Sequence, residues 1–180
     1  MELAGEVEAV GQAVKRFKAG DPVFAATGFV GMGTCAEYIC LPAESEASVL
    51  ARKPSNMTYE EAAAVPMGGL EALHFIRQVN IQSGEKVLIN GAGGTIGTFA
   101  MQLAKYFGAE VTGVDSTGKL DMLRSIGADH VIDYTRDDFT NSAETYDVIL
   151  DLIGKRSVSR GVKSLKPKGC CLLANPGLSQ

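Results

Sequence analysis

The sequence predicts an α/β protein, a doubly wound parallel sheet preceded by a shorter β-rich segment. Three observations predict it. From Lys86 onward, short apolar runs alternate with helical patterns, which indicates βαβ units and a parallel sheet. A glycine-rich stretch, Gly91-Ala92-Gly93-Gly94-Thr95-Ile96-Gly97, falls where the first of those runs turns into a helix. Before Pro54 the pattern differs: β-like pieces at 3–10, 23–26 and 36–41 are bounded by Gly, Pro or Asp.

The elements follow in order. Thr58 and Glu61 stand three apart, a capping box, and an Ala-rich helix follows. Val87-Leu88-Ile89 is continuously apolar, as a strand covered on both faces must be. The next helix spans 95–107, with Ile96, Phe99, Ala100, Leu103, Ala104 and Phe107 on one stripe. A strand at 110–114 and a helix at 120–126, ended by Gly127, come next. Strands at 131–132 and 148–150 precede a helix at 157–165, closed by Pro167, and a last strand at 170–174. Neither internal repeats nor low-complexity tracts occur.

Composition excludes several classes. Apolar residues make up 46% and charged residues 21%, a balance that folds rather than stays disordered. Seventeen Lys and Arg against 21 Asp and Glu leave a net charge of −4, against a phosphate-backbone binder. No apolar run reaches membrane-spanning length, and Met1-Glu2-Leu3-Ala4-Gly5-Glu6 is acidic where a signal peptide is basic. Four Cys, two of them adjacent at Cys170-Cys171, do not form a disulfide framework. The expectation is a soluble, reduced, cytoplasmic protein without a nucleic-acid or membrane partner.

The glycine-rich segment carries the chemistry. A helix N-terminus offers unpaired N–H groups and a positive dipole end, and both attract phosphate. Without a Cβ, Gly lets a pyrophosphate approach the backbone, and the last Gly lets helix and strand pack closely. Asp115 ends the second strand of this region, eighteen residues past Gly97, where a dinucleotide fold meets the adenosine ribose. The plainer reading is a tight connection that only permits packing. The strand before, the helix after and the acid downstream favour nucleotide.

Residues Gly84-Glu85-Lys86-Val87-Leu88-Ile89-Asn90 and the glycine-rich stretch, with Gln102 and Lys105, resemble the quinone oxidoreductase signature of the medium-chain dehydrogenase/reductase superfamily. Thr95 stands where that pattern has Gly. Ala63-Ala64-Val65-Pro66-Met67-Gly68-Gly69, Ser125-Ile126-Gly127-Ala128-Asp129 and Ile132-Asp133-Tyr134 agree. The resemblance implies part of a GroES-like substrate domain at 1–54 and a Rossmann-type dinucleotide-binding domain at 55–180. Members are nearly twice this length, so the chain resembles the middle of one, truncated before its last nucleotide-domain strand. It also implies zinc-independent hydride transfer to a quinone or α,β-unsaturated carbonyl, and a homodimer for the intact protein.

Cofactor choice turns on one loop. Asp115 suits a ribose 2′-OH and so NAD(H), whereas a 2′-phosphate would meet its like charge. Ser116-Thr117-Gly118-Lys119 resembles the Ser-Thr-x-Lys segment with which related NADPH-dependent reductases hold the 2′-phosphate, and Tyr134 matches their adenosine-side tyrosine. NADP(H) is the expected cofactor, with NAD(H) the alternative. The cofactor set is Gly91, Gly94, Thr95, Ile96, Gly97, Asp115, Ser116, Thr117, Lys119 and Tyr134.

Other activities fit less well. In a zinc alcohol dehydrogenase the downstream catalytic Cys aligns near Met67, a poor ligand, and no C-x-x-C occurs. Cys35 and Cys40 read as small buried hydrophobes on opposite faces of a strand. Gly113-Val114-Asp115-Ser116-Thr117-Gly118-Lys119 approaches a Walker A loop, but Leu120 replaces the Mg²⁺-binding hydroxyl. Neither a Tyr followed four residues later by Lys nor a G-x-S-x-G elbow is present. An NAD(P)-dependent alcohol dehydrogenase and a non-catalytic nucleotide-binding fragment stay as alternatives. No metal site is expected and no general acid is identified; Tyr38 and Glu71 are cleft candidates, with packing the simpler role for Tyr38.

Overall fold

The computed structural model describes residues 1–28, 33–43, 49–154 and 158–174. The chain divides into two compact units, Met1–Leu70 and Glu71–Gln180. In the first, β1 (Glu2–Glu6), β2 (Pro22–Ala26) and β3 (Val49–Arg52) form an antiparallel sheet in that order. Asp21 is buried just before β2, where its carboxylate accepts from the Lys18 N–H at 2.9 Å and pairs with Arg52 at 3.0 Å. An apolar cavity of about 790 Å³ opens between this sheet and residues 36–41.

Three expectations for this unit are corrected. Residues 36–41 form no strand. The sheet ends at β1 and β3, and residues 36–41 pair with neither outer edge, lining the cavity instead. Cys35 and Cys40 are therefore exposed rather than buried. Tyr38 is also solvent-facing, 75% exposed on the cavity wall, and has no packing role.

Thr58 caps α1 (Tyr59–Ala63) with both reciprocal bonds of the capping box. The Ala-rich run does not continue as one helix. Pro66 lacks an N–H and disfavours helical backbone at Val65, so the chain restarts as α2 (Pro66–Val79).

The second unit is a parallel sheet built from βαβ units. Its strands are β4 (Lys86–Asn90), β5 (Glu110–Asp115), β6 (His130–Asp133), β7 (Tyr146–Asp151) and β8 (Leu165–Leu173). Their order across the sheet is β6-β5-β4-β7-β8. The helices are α3 (Thr95–Tyr106), α4 (Leu120–Ser125) and α5 (Val158–Lys163). Val87, Leu88 and Ile89 are fully buried, each contributing about 2 kcal/mol by leaving water. On one face Val87, Ile89 and Val111 pack with Ala100, Met101 and Ala104 of α3 and Ala72 and Ile76 of α2. On the other, Leu88, Val114 and Ile149 pack with Phe139 and Tyr146.

The last segment differs from expectation. The helix ends at Lys163 and the strand starts at Leu165, so Pro167 lies inside the span of β8 rather than closing a helix. Proline is tolerated because β8 is an edge strand, and the register shifts between Tyr146↔Leu165 and Val148↔Cys170. Lys168 takes up the shift at φ +70°. Ser157, where that helix was expected to start, lies outside the described residues. Among the described residues no helix is long and apolar enough to cross a membrane.

Candidate functional site

Connections leave β4 in opposite directions: α3 leads to β5 on one side, and the chain later returns to β7 on the other. Such a reversal opens a crevice at the carboxyl ends of the two central strands, where α/β sheets bind ligands. The glycine-rich loop leaves β4 at that point. Gly91 and Ala92 each donate a backbone N–H to the Val114 carbonyl, at 3.0 and 3.1 Å, which sets the start of the turn.

Each glycine answers a different demand. Gly91 sits at φ +87°, and a Cβ there would come within 2.7 Å of Ile153 Cδ1. A Cβ on Gly97 would press on the Gly91 carbonyl and lie 2.7 Å from the Ala92 backbone, so only Gly lets α3 pack this close to the loop. Gly93 leaves room for the Asp115 carboxylate, which a Cβ would meet at 2.8 Å, and for the Lys119 side chain. Gly94 is unlike these. Its backbone is extended and its missing Cβ would touch only the Gly91 carbonyl, at an ordinary 3.4 Å. Gly94 is the N-cap of α3 and offers no side-chain cap, so the first-turn N–H groups of Thr95 and Ile96 have no capping oxygen.

The loop after β5 lies beside it. Asp115, 7% exposed, turns back: its Oδ2 accepts from the Gly93 N–H at 2.8 Å and its Oδ1 from the Ser116 N–H at 2.8 Å. Lys119 Nζ donates to the Gly93 carbonyl at 2.9 Å and lies 3.8 Å from Asp115 Oδ1. A carboxylate and an ammonium thus brace the two loops and neutralise one another. Thr117 opens the short 3-10 turn Thr117–Lys119 and donates its hydroxyl to Asp133 Oδ2. Tyr134 is 51% exposed, and its N–H donates to the Asp115 carbonyl at 3.1 Å.

The ten residues of the cofactor set therefore lie at the carboxyl ends of β4, β5 and β6, on the loops leaving them or, for Thr95, Ile96 and Gly97, in the first turn of α3. The Walker-like pattern does not form a loop of its own, because Gly113 is buried inside β5. Sequence reasoning passed over Asn90, Asp133 and Asp151 as site residues. Asp151 Oδ1 accepts from Asn90 Nδ2 at 2.9 Å and from the N–H groups of Ile153 and Gly154 at 3.0 and 3.2 Å. Their one signal was positional: a polar residue ending an otherwise apolar strand.

Among the described residues no group of three or more His, Cys, Asp or Glu could hold a metal ion, and Glu71 is exposed.

Residues 1–54 match the alcohol dehydrogenase GroES-like domain, and residues 95–175 the zinc-binding dehydrogenase domain. The chain is 37% identical over 176 residues to a 2-methylene-furan-3-one reductase of Solanum lycopersicum, covering 93% of this chain and 44% of that protein. It is 37% identical over 177 residues to a chloroplastic NADPH-dependent alkenal/one oxidoreductase of Arabidopsis thaliana, with the same coverage. The quinone oxidoreductase structure from Coxiella burnetii superposes with a TM-score of 0.84 at 31% identity, over 94% of this chain and 53% of that one. The chain belongs to the medium-chain dehydrogenase/reductase superfamily, in its quinone oxidoreductase-like group. It spans about half the length of the curated relatives it matches.

Proposed function

We propose that this chain provides the NADPH-binding part of a zinc-independent oxidoreductase that reduces a quinone or an α,β-unsaturated carbonyl. One observation carries the reading: the uncapped first turn of α3 and the Lys119 ammonium face the same loop, with the Asp115 carboxylate turned inward between them. The Thr95 and Ile96 N–H groups hold the pyrophosphate, aided by the helix dipole. Gly94 leaves the space that the pyrophosphate needs. Ser116 and Lys119 receive the ribose 2′-phosphate, and Tyr134 lies against the adenine. Asp115 does not oppose that phosphate as an uncompensated charge, because Lys119 stands beside it. When bound, NADPH supplies hydride for reduction of the acceptor. The names of two relatives, an alkenal/one oxidoreductase and a quinone oxidoreductase, support the acceptor class. We assign residues 1–54 to the GroES-like substrate domain and 55–180 to the dinucleotide domain.

Paired titrations of NADPH and NADH test this. Lys119→Ala is expected to weaken NADPH about tenfold or more while changing NADH less than about twofold, because only NADPH carries the phosphate. Asp115→Asn keeps an acceptor for the Gly93 N–H and removes the charge, so it should weaken NADH and spare NADPH. Equal losses of both nucleotides in Lys119→Ala would defeat the assignment.

A further inference from the structure

Three strands of the sheet end in a buried carboxylate, and each reaches across to the end of a neighbouring strand or the loop leaving it. Asp115 of β5 holds the Gly93 N–H, Asp151 of β7 holds the Asn90 amide, and Asp133 of β6 holds the Thr117 hydroxyl. The last differs from the others in what it restrains. Asp133 is 7% exposed and accepts three donors from two loops: the Thr117 hydroxyl on Oδ2, and the Thr135 N–H at 3.0 Å and Thr135 hydroxyl at 2.7 Å on Oδ1. Both threonines are exposed, and their hydroxyls, 3.4 Å apart, converge on this one buried group. A hydroxyl has one proton. While Thr117 donates it to Asp133, it cannot donate it to a phosphate.

We propose that Asp133 is a positioning residue for cofactor selection: it pins Thr117 from below and so presents Ser116 and Lys119, its neighbours in the same turn, to the ribose 2′ substituent. This rests on the reading that residues 116–119 receive that substituent. Asp133 itself does not touch the nucleotide. The Thr117 and then the Thr135 hydroxyl hold its carboxyl below the usual carboxylate range, so the clamp stays charged at neutral pH. The Ser116 carbonyl accepts the Lys119 N–H at 2.9 Å across the turn, so a shift at Thr117 moves both of its neighbours. The plain structural alternative is that Asp133 only caps β6, in which case its loss would weaken every nucleotide alike or none.

The test measures binding of adenosine 2′,5′-bisphosphate and of ADP, which differ in the 2′-phosphate, to the 180-residue chain. Asp133→Asn should weaken the bisphosphate about tenfold and ADP less than about twofold. Combining it with Thr117→Val should weaken the bisphosphate no further, because both changes act through the same Thr117–Asp133 contact. Additive losses would place the Thr117 hydroxyl on the phosphate itself and overturn the proposal. An unchanged ratio of the two ligands in Asp133→Asn would overturn it as well. Should that variant not fold, the exposed Thr135 gives a second reading: Thr135→Val should shift the ratio in the same direction and Thr135→Ser should restore it, and no difference between them counts against the clamp. If the wild type binds neither ligand, the nucleotide reading fails and this inference with it. If Lys119→Ala discriminates but Asp133→Asn does not, only this inference fails.

Discussion

Single residues in the glycine-rich loop divide into those that permit the fold and those that leave room for a ligand, and substitution can separate them. Gly94 has an extended backbone, and its Cβ would meet only the Gly91 carbonyl at 3.4 Å, so Gly94→Val is expected to fold with near wild-type stability. Its branched side chain would fill the pyrophosphate space, and NADPH titration should show little or no binding. Gly97→Ala is the converse. Its methyl has no room against the Gly91 carbonyl and the Ala92 backbone, so thermal unfolding should show destabilisation of about 1–3 kcal/mol. If Gly94→Val binds NADPH as the wild type does, the loop does not hold the pyrophosphate.

At the scale of elements, carboxylates also fasten helix to strand on the far side of the sheet. Lys105 near the end of α3 contacts both oxygens of Asp129 at 2.8 Å, and Asp129 Oδ2 accepts from the Val111 N–H of β5 at 2.7 Å. Burial pushes the Asp129 carboxyl up, but the Lys105 and Val111 bonds outweigh it and hold it below its usual range. A carboxyl lowered by folding stabilises above its unfolded value of about 3.9, and that stability is lost as pH falls through the lower folded value. Urea midpoints should therefore be level above about pH 5 and fall steeply below about pH 4. Asp129→Asn should lower the plateau and shrink the acid-side fall, and an unchanged acid limb would show that this pair is not what acid breaks. Asn90 and Asp151 play a similar fastening part between β4 and β7. Replacing Asn90 with Leu should cost about 1–3 kcal/mol, by removing one of the three donors to a buried carboxylate.

For the molecule as a whole, the residues proposed to hold the nucleotide lie between Gly91 and Tyr134, inside the second unit. Those contacts are local to one sheet, so the 180-residue chain is expected to bind NADPH, with saturation in a fluorescence titration. Reduction of an acceptor needs donor and acceptor carbons held at near-attack distance by groups on both sides. The chain spans about half the length of relatives named for such reactions. We therefore expect the same sample, assayed with a quinone and with an enone, to turn over little or no substrate. Rapid turnover would show that these 180 residues hold a complete acceptor site.

Read as a string, the chain determined the parallel sheet, the capping box at Thr58 and the position of the glycine-rich loop. These are local signals: apolar runs, a three-residue spacing and glycines where a strand becomes a helix. It did not determine the first sheet. Residues 36–41 have the composition of a strand, but composition does not supply a pairing partner, and only the fold reveals that they join neither edge of the sheet. The Ala-rich run reads as one helix, and only the structure reveals the break at Pro66 between α1 and α2. At the site, the string identified Asp115 and Lys119 as opposing votes on the cofactor. Tertiary structure decided how they are arranged: inward on Gly93, beside one another, with Thr117 drawn down to Asp133. Hydrogen bonds between residues 16 to 26 positions apart have no periodicity to betray them. They exist because a parallel sheet brings its strand ends together, where buried carboxylates must find donors.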